Sequence, residues 1–253
     1  MKDILLTVSQ KRILNDSVVE LVFAAKEKLP PIRCGQFLHL KVGGAYLLRR
    51  PFCIHAFTEQ TVTVVFAVVG GGTKQLASCK EGDTLYAVLP IGNGFTLEEK
   101  NKTVVLLGGG LGCAPLATVP VLYPDKTYHS YLGFGNKDAV LFEQTFAAFG
   151  KTTVATNDGS YGKKGFVTDV LKEDLARVKP DVILTCGPTP MLKAAAKLTL
   201  ETGIPAYMSG EQRMGCGVGA CLVCTCAVKG EDGVHNKRVC VDGPVFKLEE
   251  VLL

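Results

Sequence analysis

Apolar and polar positions alternate in short runs through the first 98 residues, and most of the apolar ones are β-branched or aromatic. The clearest runs are SVVELVFA (17–24), QFLHLKV (36–42) and TVTVVFAVV (61–69), separated by Gly/Pro turns such as LPPIRCG. Such runs are typical of strands, and no strong helical period accompanies them. Because an antiparallel barrel buries strands of this kind without open edges, we predict a β-barrel domain over residues 1–99.

The pattern changes from about residue 102, where apolar runs alternate with longer, helix-like stretches. The predicted strands are TVVLLGGG, TYHSYLGFG, KTTVATND and DVILTCG, and the predicted helices are AVLFEQTFAAF and PTPMLKAAAKLTLE. Strands that alternate with helices favour a parallel, helix-covered sheet. We therefore predict an α/β domain over residues 100–207, followed by a small module over residues 208–253. The predicted fold class is multidomain α+β.

Charge and hydropathy argue against two classes of protein. The 253 residues carry a net charge of +4 without a run of five like charges, so nucleic-acid binding is not expected. The uncharged stretch 103–123 is long enough to cross a membrane, but its four glycines and two prolines would expose backbone polar groups to lipid. We interpret it as a buried strand, a glycine loop and a helix start. The first apolar run is too short for a signal peptide, so we expect a cytoplasmic protein that is not integral to a membrane.

Half of the ten cysteines lie close together near the carboxyl end. Cys216, Cys221 and Cys224 are spaced C-x4-C-x2-C, and Cys240 follows after fifteen intervening residues. This is the plant-type spacing of four thiolate ligands on a [2Fe–2S] cluster. Interspersed glycines allow backbone N–H groups to approach the cluster sulfurs. We therefore predict a [2Fe–2S] cluster on these four cysteines.

Structural zinc is the main alternative, because Cys226 and His235 are two further candidate ligands. Zinc ribbons usually offer two short C-x2-C pairs, whereas here the first pair is wider and the fourth cysteine stands alone. Cys226 lies two residues after Cys224, and on an extended chain both side chains point the same way, so Cys226 is the cysteine most easily mistaken for a ligand. From the spacing we expect that Cys226 is not a ligand. Most of the five dispersed cysteines are expected to be small buried apolar residues.

A glycine-rich loop follows the first strand of the predicted α/β domain. Its glycines are Gly108, Gly109, Gly110 and Gly112. Such a loop lets the backbone approach a dinucleotide pyrophosphate at a helix amino terminus, although a tight strand–helix turn also requires glycine. Another strand ends in Cys186, Gly187 and Pro188, at the same carboxyl edge, where open α/β sheets bind ligands. We predict nucleotide contacts at both places.

In the barrel, YLLRRPFC places two arginines before a proline, and VVGGGTKQL follows about twenty residues later. The alternative explanation is that the two arginines belong to a solvated surface and bind no ligand, which is usual for such a pair. With a glycine–threonine loop, however, Arg50 is able to grip a pyrophosphate by charge-assisted hydrogen bonds, and Gly72 and Thr73 supply an N–H and a hydroxyl. The four histidines show no metal spacing, and no nucleophile–histidine set is evident, so we predict no catalytic acid, base or nucleophile.

The order of the motifs RRPF, GGGT, PIGNGF, GGGLGCAP, CGPTPM and the thiol cluster resembles the ferredoxin–NADP reductase superfamily. More closely, the chain resembles the electron-transfer subunits of type 1B dihydroorotate dehydrogenases, over nearly its whole length. The most specific parts are TNDGSYGKKGFVTD, EQRMGCGVGAC and CVDGPVF. The resemblance implies FAD contacts at Arg50, Pro51, Phe52, Cys53, Val65, Phe66, Ala67, Gly72 and Thr73. Cys53 stands where the family usually has serine, and Ala67 where it often has arginine.

The resemblance also implies a function. Electrons pass between NAD(H), FAD, the [2Fe–2S] cluster and a partner, an FMN-containing catalytic subunit that oxidises dihydroorotate to orotate in pyrimidine biosynthesis. The expected assembly is a heterotetramer with two copies of each subunit. Because nicotinamide exchanges two electrons and the cluster one, the flavin must lie between them. NAD is favoured over NADP, since GFGNKD offers only Lys137 as a cation beside the second strand.

Three questions stay open at this stage. A related iron–sulfur flavoprotein subunit, from a ferredoxin:NADP transhydrogenase or a sulfide dehydrogenase, has much the same motifs. A module that binds zinc and only senses a nucleotide is the alternative outside the enzymes. The apolar end of the chain, DGPVFKLEEVLL, either packs back on the barrel or docks the partner.

Overall fold

A computed structural model describes residues 1–253. Its amino-terminal part is a closed antiparallel barrel with the strand order β1-β2-β5-β4-β3-β6. The strands are β1 (Lys2–Asn15), β2 (Val18–Ala25), β3 (Phe37–Leu40), β4 (Arg50–Phe57), β5 (Thr61–Ala67) and β6 (Thr84–Ile91). The predicted barrel is confirmed, although the apolar pattern revealed only β2, β3 and β5.

The barrel also contains one helix, α1 (Gly71–Ala77), so the expectation of strands alone was wrong. The helix has seven residues, which is too short to display a helical period in the sequence. It carries Leu76, which is fully buried, into the same apolar core as Leu21 and Phe23 of the strands. The helix is therefore anchored on the barrel core, with Gly71 and Gly72 in its first turn.

The second part is built on a largely parallel sheet. Its first strands are β7 (Thr103–Gly109), β8 (Thr127–Phe134), β9 (Gly150–Thr156), β10 (Lys163–Lys164), β11 (Val182–Cys186) and β12 (Ala206–Ser209). The connecting helices are α2 (Cys113–Leu116), α3 (Val119–Leu122), α4 (Glu143–Ala147), α5 (Val167–Val178) and α6 (Thr189–Thr202). Consecutive residues of β7 enter different apolar clusters on the two faces of the sheet, as a sheet buried on both sides requires.

The predicted elements of this part differ from the structure mainly in the helices. The stretch PTPMLKAAAKLTLE forms α6 as expected, but AVLFEQTFAAF forms only the five-residue α4. Phe142 precedes α4 with a φ of +66°, a left-handed conformation that interrupts any longer helix. Residues 103–123 form β7, a short 3-10 turn, α2 and α3, as interpreted above. None of the helices has the length and apolarity needed to cross a bilayer.

The carboxyl-terminal part consists of the cysteine loop, a hairpin and a last strand. The hairpin is formed by β13 (Thr225–Gly230) and β14 (Gly233–Arg238), and β15 (Val245–Lys247) pairs antiparallel with β12 at the edge of the large sheet. Phe246 packs against Phe37 and Ile91 of the barrel, and Leu248 is fully buried. The apolar tail thus packs back on the molecule, chiefly on the parallel sheet.

Candidate functional site

A cavity of about 310 Å³ lies where the barrel, the turn after β7 and the segment before the cysteine loop meet. Seven of the residues predicted to contact FAD line it: Pro51, Phe52, Cys53, Val65, Phe66, Ala67 and Thr73. They come from β4, β5 and α1, and the rings of Phe52 and Phe66 lie 5.1 Å apart. Neighbouring antiparallel strands therefore present a continuous, mostly apolar wall of the size that a flat ring system needs.

Sequence reasoning missed the opposite side of this cavity. Its residues come from the other two parts of the chain and include Leu111, Ala114, Pro115, Gly210, Glu211, Gln212, Met214, Val239 and Pro244. The signal for Glu211 and Met214 was present in EQRMGCGVGAC, but nothing in that motif indicates which cavity it faces. Only the folded chain brings these residues to the barrel.

Arg50 and Gly72, a predicted pair, are brought together beside this cavity. A Cβ atom at position 72 would lie 3.0 Å from Arg50 Nε, so glycine leaves the room in which the guanidinium lies. Arg50 Nη1 donates to the Leu48 carbonyl at 2.8 Å, and the group sits 5.8 Å from the Tyr46 ring centre. These contacts hold the arginine over the start of α1. Its Nε and Nη2 groups stay available as hydrogen-bond donors to a ligand.

Thr73 has a different role from the one predicted for its hydroxyl. Thr73 Oγ1 accepts hydrogen bonds from the backbone N–H groups of Val69 and Gly70, both at 3.0 Å. It donates its own proton to the Gly70 carbonyl at 3.0 Å. The hydroxyl proton is therefore used inside the turn, where it stabilises the start of α1.

The thiols near this cavity are protonated. Burial, together with a smaller effect of the Glu211 carboxylate, raises the pKa of Cys53 to about 12. Burial likewise raises the pKa of Cys186 well above its usual value, with Cys53 adding to the effect. Protonated thiols in apolar surroundings behave as small apolar groups, as expected for dispersed cysteines.

A second cavity, of about 800 Å³, lies at the carboxyl ends of the parallel strands. Of the residues predicted to contact a dinucleotide, Gly109, Gly110 and Pro188 line it. It extends past Gly135 after β8 and Asn157 after β9 to the first turn of α5, where Asp169 lies. An elongated cavity across several strand ends has the shape that a dinucleotide requires.

The other four predicted nucleotide contacts do not line this cavity. A Cβ atom at Gly112 would overlap the Cys186 carbonyl, one at Gly108 would lie 2.6 Å from Cys113 Sγ, and one at Gly187 would lie 2.6 Å from Met191 Cε. Cys186 itself is buried. These positions keep the strand–helix turns tightly packed, which was the alternative explanation for glycine at this loop.

The two cavities share a wall. Leu111, in the 3-10 turn after β7, lines both of them. Leu111 is thus the residue at which the two cavities meet.

The four predicted cluster ligands lie in two pairs. Cys216 N donates to Cys221 Sγ at 3.3 Å, and Cys221 N donates to Cys216 Sγ at 3.4 Å. The other two thiols, Cys224 and Cys240, are buried and in hydrogen-bond contact with each other. Backbone N–H donation, first from Val218, lowers the pKa of Cys216 to about 6, which favours the thiolate that a metal binds.

This paired arrangement fits a dinuclear cluster better than zinc. Each iron of a [2Fe–2S] cluster takes two thiolates, so four cysteines divide into two pairs. A zinc ion needs four ligands around one point, whereas these thiols meet as Cys216 with Cys221 and as Cys224 with Cys240. Gly217 and Gly219 adopt φ values of +70° and +84°, which turn the loop so that N–H groups face the sulfurs.

Known proteins resemble the chain over its whole length. The model of the iron–sulfur cluster binding domain of dihydroorotate dehydrogenase B matches residues 211–252. The dihydroorotate dehydrogenase B (NAD(+)) electron transfer subunit of Bacillus velezensis is 43% identical, with 100% of both chains covered. The corresponding subunit of Caldanaerobacter subterraneus subsp. tengcongensis is 41% identical, with 97% of this chain and 96% of that one covered. The chain belongs to this family.

Among solved structures, a chain of the NADH-dependent reduced ferredoxin–NADP oxidoreductase superposes with a TM-score of 0.86 at 30% identity. The match covers 98% of this chain and 89% of that one. The ferredoxin reductase of carbazole 1,9a-dioxygenase has a TM-score of 0.72 at 18% identity, over 82% of this chain and 68% of that one, and shows the shared fold. The predicted fold class is confirmed.

Membership of the family also confirms the electron-transfer function predicted above. It confirms FAD, NAD(H) and the [2Fe–2S] cluster as the cofactors. The residues found in the first cavity, in the second cavity and in the thiol pairs fit these three groups in size and chemistry. The zinc-binding sensor is set aside by the same finding.

Proposed function

We propose that the chain passes electrons between NAD(H) and an FMN-containing catalytic subunit that oxidises dihydroorotate to orotate. The observation that carries this proposal is the continuity of the three sites. Leu111 lines both cavities. Met214 and Val239 line the first cavity, and in the chain Met214 lies two residues before the cluster ligand Cys216 and Val239 directly before the cluster ligand Cys240. A route from nucleotide to flavin to cluster therefore needs no movement of a domain.

The electron count requires this order. Oxidation of dihydroorotate releases two electrons and two protons, and reduction of NAD⁺ takes up two electrons and one proton. The flavin, when bound, exchanges electrons either in pairs or singly, and so links the nicotinamide to the cluster. The side chains of the first cavity bind the ring system, exclude water and hold it against the shared wall at Leu111.

Within the first cavity we assign two kinds of contact. Phe52, Val65 and Phe66 supply apolar surface for the isoalloxazine, and Ala67, at the position where the resemblance leads one to expect arginine, supplies no cation. Arg50 and the backbone N–H groups at Gly72 and Thr73 bind the pyrophosphate. Cys53 occupies the place of a hydroxyl and adds a protonated thiol to the wall.

In the second cavity we assign the backbone at Gly109 and Gly110 to the pyrophosphate of NAD(H), and the Pro188 end to the nicotinamide, next to Leu111. The adenosine then lies at the far end, beside Asn157 and Asp169. A carboxylate at this end accepts hydrogen bonds from ribose hydroxyls and repels a 2′-phosphate. This assignment explains a preference for NAD over NADP.

Replacing Asp169 with asparagine should raise the KM for NADH and lower the discrimination against NADPH. Loss of a charge-assisted hydrogen bond costs about 1.5–3 kcal/mol, or roughly ten- to a hundredfold in affinity. Steady-state dye reduction, measured with NADH and with NADPH, gives the preference of each variant for one nucleotide over the other. Asp158→Asn is the matched control, because the Asp158 carboxylate is held by Ser160 N and Oγ and does not line the cavity. An unchanged nucleotide preference in Asp169→Asn contradicts the assignment.

The partner is proposed to dock around the cysteine loop. Four apolar side chains surround the loop and are about half exposed or more: Val218, Leu222, Val223 and Val241. Exposed apolar residues grouped at one place mark interaction surfaces, and this one lies directly over the thiol pairs. We propose an assembly of two copies of each subunit, located in the cytoplasm, where reducing conditions keep the ten cysteines free of disulfides.

The experiment that tests the proposed function is an assay of the purified chain alone. The chain has one flavin cavity and one nucleotide cavity, so we expect NADH oxidation with artificial acceptors and no oxidation of dihydroorotate. Adding the FMN-bearing subunit should then produce dihydroorotate-dependent NAD⁺ reduction. Dihydroorotate oxidation by the isolated chain would contradict this division of labour.

A subunit of a ferredoxin–NADP oxidoreductase is the second candidate, because the backbone agrees with such a chain at a TM-score of 0.86. The identity to that chain is 30%, against 43% for the dihydroorotate dehydrogenase B subunit. Affinity purification from native cells distinguishes them. Recovery of an FMN-bearing dihydroorotate dehydrogenase supports the first function, and recovery of a ferredoxin-dependent partner supports the second.

A further inference from the structure

His39 is a buried histidine to which the proposed function gives no role. It lies on β3, only 1% exposed, and pairs with Pro51 of the flavin-binding strand β4. Leu38 and Leu40 point into the barrel core, whereas Phe37 packs with the cluster cysteines outside the barrel. Because side chains alternate along a strand, His39 points outward with Phe37, toward the cysteine loop.

The imidazole lies directly against this loop. A Cβ atom at Gly217 would come 2.5 Å from His39 Nδ1 and 3.2 Å from Cε1, so only glycine permits the contact. Gly217 follows the first cluster ligand, Cys216, and has a φ of +70°. The ring thus fills the space between the flavin-binding strand and the first cysteine of the cluster.

Both ring nitrogens lack a hydrogen-bond partner in the structure. The backbone groups of Arg49 and Cys216 nevertheless lie close to the ring. Burial lowers the pKa of His39, and contact with these two backbone groups partly opposes that effect. One of these groups belongs to the residue before strand β4 and the other to a cluster ligand. A buried polar side chain without a partner reduces stability, so an apolar residue would serve better if packing were its only task.

We propose that His39 is a positioning residue that joins the two redox sites, with a ring N–H that donates to the backbone carbonyl of Cys216 in the cluster-loaded protein. This inference rests on the proposed function, because it takes Cys216 as a ligand and β4 as part of the flavin site. The ring holds the Cys216–Cys221 pair at a fixed place relative to β4 and excludes water from that side. Hydrogen bonds and solvent exclusion around the ligands set the potential of an iron–sulfur cluster.

The test is a redox titration of the purified chain, loaded with flavin and cluster, followed by electron paramagnetic resonance for the cluster and by absorption for the flavin. In His39→Phe we expect the one-electron equilibrium constant of the cluster to change about tenfold, a shift of roughly 59 mV. The flavin potential should stay as in the unmutated chain. His39→Gln keeps a donor near the same place and should shift the cluster potential less than His39→Phe.

His129→Gln is the matched control, since His129 also has a ring nitrogen without a partner but lies on β8 of the parallel sheet. It should leave the cluster potential unchanged. An unchanged cluster potential in His39→Phe, with normal iron and flavin content, overturns the proposal. If His39→Phe does not assemble, His39→Gln decides: normal iron content supports the donor role, and equal loss of iron overturns it. Failure of the proposed function is seen separately, in an unmutated chain without cluster or NADH-dependent dye reduction.

Discussion

Serine in place of any one of the four paired cysteines is expected to abolish or alter the visible spectrum of the iron–sulfur cluster. The variants are Cys216→Ser, Cys221→Ser, Cys224→Ser and Cys240→Ser. Each change removes one of the two thiolates on an iron, and even changes beside metal ligands reduce affinity by about 10–100-fold. We therefore expect bound iron and sulfide to fall by more than about tenfold, measured per folded chain.

Cys226→Ser is the internal control, and we expect it to keep the spectrum. Cys226 lies in β13, opposite Lys237, and belongs to neither the Cys216–Cys221 nor the Cys224–Cys240 pair. Loss of the spectrum in this variant alone would falsify the ligand assignment. Metal analysis of the unmutated chain adds a second check, because two irons with two sulfides indicate the dinuclear cluster and one zinc does not.

The four substitutions differ in what else they disturb. Cys221 is exposed, so its replacement by serine leaves the surrounding packing intact. Cys224 and Cys240 are buried with Phe37, Val228 and Phe246, and a serine there leaves a buried hydroxyl in an apolar cluster. Circular dichroism should therefore accompany the iron measurement, and Cys221→Ser gives the cleanest result.

Local patterns carried most of what the sequence could predict. Ligand spacing is local, so Cys216, Cys221 and Cys224 were recognisable without knowing how the chain folds. The strands β2 and β5 were visible because their apolar residues are β-branched and aromatic. By contrast, β1 mixes charged and apolar residues along its fourteen positions, and its role as a barrel strand depends on its pairing with both β2 and β6.

The parts that could not be predicted depend on contacts between distant segments. A motif does not show which glycine of a loop faces a ligand: Gly109 and Gly110 line the nucleotide cavity, while Gly112 is pressed against the Cys186 carbonyl. Likewise, Glu211 lies beside Cys53 only because the chain returns from β12 toward the barrel. The shared wall at Leu111, on which the proposed electron route depends, has no counterpart in the sequence.

Arg50→Ala is expected to release FAD on dilution. If Arg50 binds the pyrophosphate, its loss removes a charge-assisted hydrogen bond of about 1.5–3 kcal/mol, so the affinity should fall roughly ten- to a hundredfold. The measurement is flavin retained after gel filtration, together with the Kd from fluorescence titration. Arg50→Lys keeps the positive charge but lacks the planar guanidinium group. Its FAD affinity should therefore lie between those of the unmutated chain and of Arg50→Ala.

The neighbouring arginine supplies the matched control. Arg49 forms a bidentate ion pair with Asp3, at 2.8 and 3.0 Å, and this directs its guanidinium to β1 and away from the first turn of α1. Arg49→Ala should therefore reduce the stability of the barrel by a modest amount and leave the FAD affinity within about threefold of the unmutated chain. If the two alanine variants lose flavin equally, the effect reflects a loosened barrel, and the assignment of Arg50 to the pyrophosphate is wrong. If only Arg50→Ala loses flavin, the Arg50 guanidinium, which lies in the space beside Gly72, is part of the FAD site.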